Sequence, residues 1–157
     1  MNSEKPTLSL IAPAPVVFGV PFAAGVILHF LFNTVTLGSP AALALTVGGV
    51  LLAASVALAG WSISTMFRAG ENPDPRHPTN ALVDTGPFAY SRNPIYIAFV
   101  LGGIGIAVGI DSVFVLAAVL IGAIALDRLV IVREEKYLSK LFGDEYRRYT
   151  ARVRRWI

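Results

Sequence analysis

At 157 residues the chain is long enough for one domain, yet 55% of it is hydrophobic, only 15% is charged and its mean hydropathy is +0.65. A soluble fold of that size cannot hide so much apolar surface, so the first reading is a membrane protein. There is no cysteine, which excludes disulfides, cysteine-ligated zinc, iron–sulfur clusters and a thiol nucleophile; His29 and His77 lie far apart with no carboxylate–histidine cluster, so no metal site is expected.

Four apolar stretches follow in chain order: 16–32, 41–67, 95–110 and 112–132. A spanning helix needs about 20 apolar residues, so the first and third are a little short and the second is long. The second is expected to tilt, or to let its polar end (Ser62, Ser64, Thr65) reach water. Before the first stretch the charge is weak and the apolar run is long, so the N-terminal segment does not read as a signal peptide. Pro21 is expected to kink the first helix, and His29 to bond to a neighbouring helix. The glycines of the second and third stretches, with Gly105 and Gly109 as a small-xxx-small pair, fit packing inside one bundle; a homodimer seam is the other option.

The connections set the orientation. All 13 Lys and Arg residues fall before the first stretch, in the loop 68–93, or from the end of the fourth stretch onward. With four spans these regions share one side. The positive-inside rule makes that side the cytoplasm, with both termini in it. The expected architecture is therefore one all-α integral membrane domain over 1–157, multi-pass in the inner membrane. It has four transmembrane helices, a cytoplasmic cap built from 68–93 and 133–157, and C-terminal amphipathic helices.

Within the loop, "NPDPRHPTNALVDTGPF" is rich in turn formers, so ordered coil is expected, and its apolar island at Leu82-Val83 should fold back onto the protein. Phe88, Tyr90 and Tyr96 read as an interfacial aromatic belt or as a cradle for a planar ring or a sulfonium cation. Asn93-Pro94 reads as an N-cap and first helical residue. The helix start and Arg92 would favour an anion, though Arg92 could equally snorkel to lipid phosphate. Counting outward from the turn near Asp111, the third and fourth stretches form a hairpin that returns Glu134 and Glu135 to the side of Arg92. Gly143 should break the tail helix. Beyond it Tyr146, Tyr149, Val153 and Trp156 mark one face and Arg147, Arg148, Arg152 and Arg155 the opposite one. A basic amphipathic helix of this kind suits an anionic membrane surface, which also accounts for the net charge of +3 without nucleic acid.

Taken together, "LVDTGPFAYSRNPIYIA" and, one hairpin later, "EEKYLSKLFGDEYRRY" resemble the isoprenylcysteine carboxyl methyltransferase and phospholipid methyltransferase group of integral-membrane enzymes. The resemblance covers Ala81 onward, about half of the chain. It rests on Leu82-Val83, Gly86-Pro87-Phe88, Arg92-Asn93-Pro94 with Tyr96, Glu134-Glu135, and Phe142-Gly143-Asp144-Glu145-Tyr146 with Tyr149. It implies S-adenosylmethionine bound under the cap, S-adenosylhomocysteine as product, and a lipophilic acceptor entering from the bilayer. The cofactor's carboxylate would suit Arg92 and the helix start at Asn93-Pro94, its amino group Glu135, and its adenine Leu82, Val83 and Phe88. Gly86, Pro87, Tyr90 and Tyr96 complete the cofactor-binding set. Glu134, with Arg128 or Arg133, would orient the acceptor and remove its proton if it is an amine. Two departures stand out: Asn93 replaces the His of many relatives, and Phe88 the commoner Tyr. The chain also lacks the additional N-terminal spans of the eukaryotic carboxyl methyltransferases. A short prokaryotic form is therefore expected, with a phospholipid amine, a small lipophilic acid or a thiol as acceptor rather than a prenylated protein. A small membrane transport or assembly subunit and a reductase of the sterol-reductase-like branch are the alternatives.

Overall fold

A computed structural model describes residues 13–32, 35–74 and 79–157. Lys5, Arg76 and His77 lie outside the described residues. Among the described residues six α-helices form: α1 (Ala14–Leu31), α2 (Ala41–Arg68), α3 (Pro94–Gly109), α4 (Val113–Ala125), α5 (Val132–Phe142) and α6 (Asp144–Arg152). A 3₁₀ turn covers Gly86–Ala89, and a π-helical segment, Leu126–Ile131, joins α4 to α5 in one continuous rod. Among the described residues there is no strand, only an isolated bridge between Thr36 and Ser112.

Among the described residues three helical segments are long and apolar enough to cross a membrane: Ala14–Leu31, Ala41–Arg68 and the rod Val113–Phe142. The fourth, Pro94–Gly109, is apolar but has 16 residues. Helix starts follow local chemistry. Proline stands immediately before α1 and α2, and the Ser112 hydroxyl accepts a hydrogen bond from Val115 N at 3.2 Å at the start of α4. Pro21 sits inside α1 without ending it. Hydroxyls along α2 bond back to the preceding turn, Thr46 to Ala42 O at 2.8 Å and Ser62 to Leu58 O at 2.7 Å, so neither brings an unmet donor into apolar surroundings.

The helices run antiparallel. Ser55 donates to Ala98 O at 2.7 Å, while Gly48 lies against Gly105 and Gly109, so α2 and α3 meet in opposite directions. Phe18 lies against Gly122 and Gly25 against Ala118, which sets α1 against α4 in the same way. A Cβ at Gly48 would stand 2.6 Å from Gly105 O, so only glycine allows this approach. The core gathers Phe18, Ala107, Val115, Val119, Leu126 and Val130. The glycines at 48, 102, 103 and 105 thus face neighbouring helices of the same bundle. At one end of the bundle Asp111, with φ 54°, accepts Ser39 N through Oδ1 at 3.1 Å.

His29 was expected to bond to a neighbouring helix. Its Nδ1 is instead buried with no hydrogen-bond partner, and its ring stands edge-on to Phe30 at 5.4 Å. The tail was expected to lie with its aromatic face on the membrane. Instead, Tyr146, Tyr149 and Val153 are buried against Leu82, Leu138 and Phe142. The turn at Gly143, with φ 50°, folds α6 back over the loop, and the Leu82 island gives the aromatic face a closer apolar partner than lipid.

Candidate active site at the polar end of the bundle

Three segments converge at the end of the bundle opposite Asp111: the loop after α2, the start of α3, and everything from the π segment onward. The loop is held first by Glu71. The residue is 4% exposed, and its carboxylate accepts Asn80 N at 2.7 Å and Ala81 N at 2.5 Å through one oxygen. This delivers Leu82 to the α6 cluster. Gly86, with φ 58°, then seats the 3₁₀ turn on Thr65 of α2. Tyr149 donates its hydroxyl to Phe88 O at 2.8 Å, which ties the turn to α6. Burial pushes the Tyr149 hydroxyl pKa well up, as it does that of Tyr146, where the charge of Glu135 adds to the effect and the Arg92 guanidinium opposes it. Both hydroxyls stay protonated at neutral pH.

Beyond the turn, the chain 154–155 fastens the start of α3. Arg92 N donates to Arg154 O at 3.0 Å. Arg155 O accepts from Ser91 Oγ at 3.2 Å and from Asn93 Nδ2 at 2.9 Å. Asn93 therefore occupies the N-cap position of α3 but makes no side-chain cap; its amide is spent on Arg155 O.

The hairpin does reunite Arg92 with the acidic pair. Arg92 Nη1 lies 2.9 Å from Glu135 Oε1, with the two side chains 16% and 19% exposed. Glu134 turns elsewhere and accepts the Tyr96 hydroxyl at 2.7 Å. Neighbouring residues on a helix point about 100° apart, so the pair serves two directions. Arg92 Nε is buried with no partner, an unmet donor beside a guanidinium whose other end is engaged. Pro87 and Pro94 are buried in the framework; Leu82, Val83 and Phe88 are half-buried. Tyr90 stands 75% exposed, apart from the other expected cofactor contacts. The Arg128 side chain is 78% exposed and reaches only Asp127, at 3.8 Å. Arg133, just before Glu134, is exposed.

Arg155 and Asp127 were missed in the sequence. Arg155, expected on a solvated face, turns inward and forks onto Glu135, Nε to Oε1 at 3.0 Å and Nη2 to Oε2 at 2.6 Å. Its Nη1 meets both Asp127 oxygens at 3.2 and 3.3 Å, and Trp156 Nε1 donates to Asp127 Oδ1 at 3.1 Å. A carboxylate in the apolar run "AIALDRLVI" was the available signal for Asp127. A groove of about 760 Å³ opens here, with Ala123 and Ile124 as its apolar floor and Arg92, Asp127, Arg128, Arg155 and Trp156 around it. A second, apolar crevice of about 600 Å³ lies between α1, α2 and α3, lined among others by Phe18, Phe22, Leu52 and Phe99. Among the described residues no group of His, Asp and Glu is placed to hold a metal ion.

A family model described as phospholipid methyltransferase matches residues 43–145, which takes in nearly all of α2, the loop, the Arg92–Glu135 pair and the start of α6. The Protein-S-isoprenylcysteine O-methyltransferase of Schizosaccharomyces pombe is 29% identical over 112 residues, 69% of this chain and 44% of that protein. An uncharacterized protein of Haemophilus influenzae is 51% identical over 39 residues, 25% of this chain and 62% of that protein. The chain thus spans less than two thirds of the length of either relative, and no solved structure matches it. The family match covers more than half of the sequence and contains the whole hairpin that brings Arg92 to Glu135. On that basis the chain belongs to the phospholipid methyltransferase family.

Proposed function

We propose that the protein transfers a methyl group from S-adenosylmethionine to a lipophilic acceptor that arrives from the bilayer. The observation that carries this reading is the Arg92–Glu135 pair, 2.9 Å apart, with the unmet Nε donor of Arg92 beside it. The methionine end of the donor is a zwitterion. Its carboxylate matches the guanidinium, including the free Nε, and its ammonium matches the carboxylate. Exchange of one internal ion pair for two external ones leaves no buried charge uncompensated. Bound there, S-adenosylmethionine supplies an electrophilic methyl on a sulfonium and leaves as S-adenosylhomocysteine.

The chain's own residues then position the partners, because methyl transfer is an in-line displacement that depends on alignment. The island Leu82-Val83 and Phe88 offer an apolar wall for adenine. Glu134, aimed by the Tyr96 hydroxyl, orients the acceptor and takes its proton if it is an amine. The acceptor's apolar part lies along the bundle, and carboxylate, amine and thiol acceptors all suit the arrangement. Four membrane crossings would put every Lys and Arg on one side, and the positive-inside rule supports reading that side, with the cap, as the cytoplasm of an inner membrane.

Calorimetric titration of the detergent-solubilised protein with S-adenosylhomocysteine and, separately, with NADPH tests the reading. Binding of the first and not the second is expected. NADPH binding alone would replace it with a reductase. Incubation with methyl-labelled S-adenosylmethionine and a lipid extract then identifies the acceptor by the labelled product.

A further inference from the structure

Four charged side chains form one continuous chain: Asp127, Arg155, Glu135 and Arg92. They come from the π segment, the chain beyond α6, helix α5 and the residue two before α3. Two are cations and two are anions, so the group is neutral as it stands. Glu135 is its shared member. Its Oε1 receives both Arg92 Nη1 at 2.9 Å and Arg155 Nε at 3.0 Å, while Oε2 receives Arg155 Nη2 at 2.6 Å. A carboxylate offers about four acceptor positions, so departure of Arg92 would free one on Oε1 without releasing Glu135.

Arg155 is unusually well aimed for a residue in a basic run. Its carbonyl is held by Ser91 and Asn93, and its third nitrogen is held by Asp127, itself held by Trp156. The fork onto Glu135 raises the Arg155 pKa above the ordinary arginine value, and Asp127 adds to the effect. A guanidinium forked onto a carboxylate fixes its direction as well as its charge.

From this geometry we infer that Arg155, backed by Asp127, is a positioning residue for the methyl donor. It holds Glu135 in place to receive the donor's ammonium when Arg92 turns from Glu135 to the donor's carboxylate. The inference rests on the reading of Arg92 and Glu135 given above. Arg155 acts through Glu135 and touches no ligand itself.

The test compares two ligands on the full chain in detergent. S-adenosylhomocysteine carries the amino-acid end; 5′-methylthioadenosine has the same nucleoside thioether without it. Arg155→Gln should weaken the first by roughly tenfold or more, the loss expected when a charged hydrogen-bond partner is removed, and leave the second as in the parent. Asp127→Asn, a milder change, should shift the first ligand in the same direction by less. Arg148→Gln, on the exposed face of α6, should change neither. In combination with Glu135→Gln, Arg155→Gln should add no further loss, because both changes remove the same interaction. Equal weakening of both ligands together with a lower melting temperature would make Arg155 a structural strut. Losses that add in the double variant would mean that Arg155 meets the ligand directly. Unchanged affinity for both ligands would also overturn the inference. A parent protein that binds neither ligand would instead sink the methyl-donor reading, a result distinguishable from all of these.

Discussion

Glu134 and Glu135 are adjacent, yet their partners separate them: Tyr96 for the first, Arg92 and Arg155 for the second. This division predicts two kinds of variant. Glu135→Gln and Arg92→Ala should weaken S-adenosylhomocysteine binding by ~1.5–3 kcal/mol, roughly ten- to a hundredfold, because each removes one partner of a charge-assisted bond. Tyr96→Phe and Glu134→Gln should leave that affinity near the parent value and slow single-turnover methyl transfer, since an interaction with the acceptor in the transition state does not show in ground-state donor binding. A Tyr96→Phe protein with weakened donor affinity and normal turnover would reverse the roles. The meeting of Arg92 and Glu135 was legible beforehand because two helices joined by a tight turn have countable lengths. The inward turn of Arg155 was not. It depends on where the chain goes after Gly143, and an arginine in "RVRRWI" carries no local mark that separates it from its solvated neighbours.

At the scale of elements, the apolar runs and their glycines announced the helices, but not which contacts would be tightest. The approach of α2 to α3 at Gly48 leaves no room for a side chain, whereas a Cβ at Gly49 meets nothing within 4 Å. Gly48→Val should therefore lower the melting temperature in detergent, with overpacking of a well-packed contact costing about 1–3 kcal/mol. Gly49→Val should be tolerated, and equal effects at the two positions would mean that the helices meet on another face. The loop has its own keystone in Glu71. Glu71→Leu removes the shared acceptor of the Asn80 and Ala81 N–H groups, and hydrogen bonds to a charged group are worth about 1.5–3 kcal/mol. Faster proteolysis of the loop and weaker S-adenosylhomocysteine binding should appear together, because the same staple presents Leu82 to Tyr146 and Tyr149. A loop as protease-resistant as the parent's would show that the staple is dispensable. Glu71 had no sequence signal beyond being the first acidic residue after a long apolar helix. Nor did the π segment, whose wider turn places Asp127 toward Arg155 and Trp156.

For the molecule as a whole, the segregation of charge supports the proposed orientation, which also needs α3 to cross fully. Its 16 residues rise only ~24 Å, against a hydrocarbon core of about 30 Å. The far-side contacts argue that it reaches the same level as its neighbours. Leu37 N donates to Asp111 O at 3.4 Å, Ser39 N donates to Asp111 Oδ1 at 3.1 Å, and Thr36 pairs with Ser112, so the α3–α4 turn sits level with the α1–α2 connection. A fourth crossing by so short a helix, as proposed, would be accommodated by local thinning of the bilayer or by its flanking residues, at modest cost. The absence of cysteine makes this directly measurable, because every introduced thiol is unique. Leu37→Cys, at an exposed site on the far connection, should react with a membrane-impermeant maleimide in intact cells or spheroplasts. Lys140→Cys, at an exposed site on α5, should react only after lysis. The reverse pattern would place the cap outside, where S-adenosylmethionine made in the cytoplasm does not reach it, and the proposed chemistry would fall with the topology.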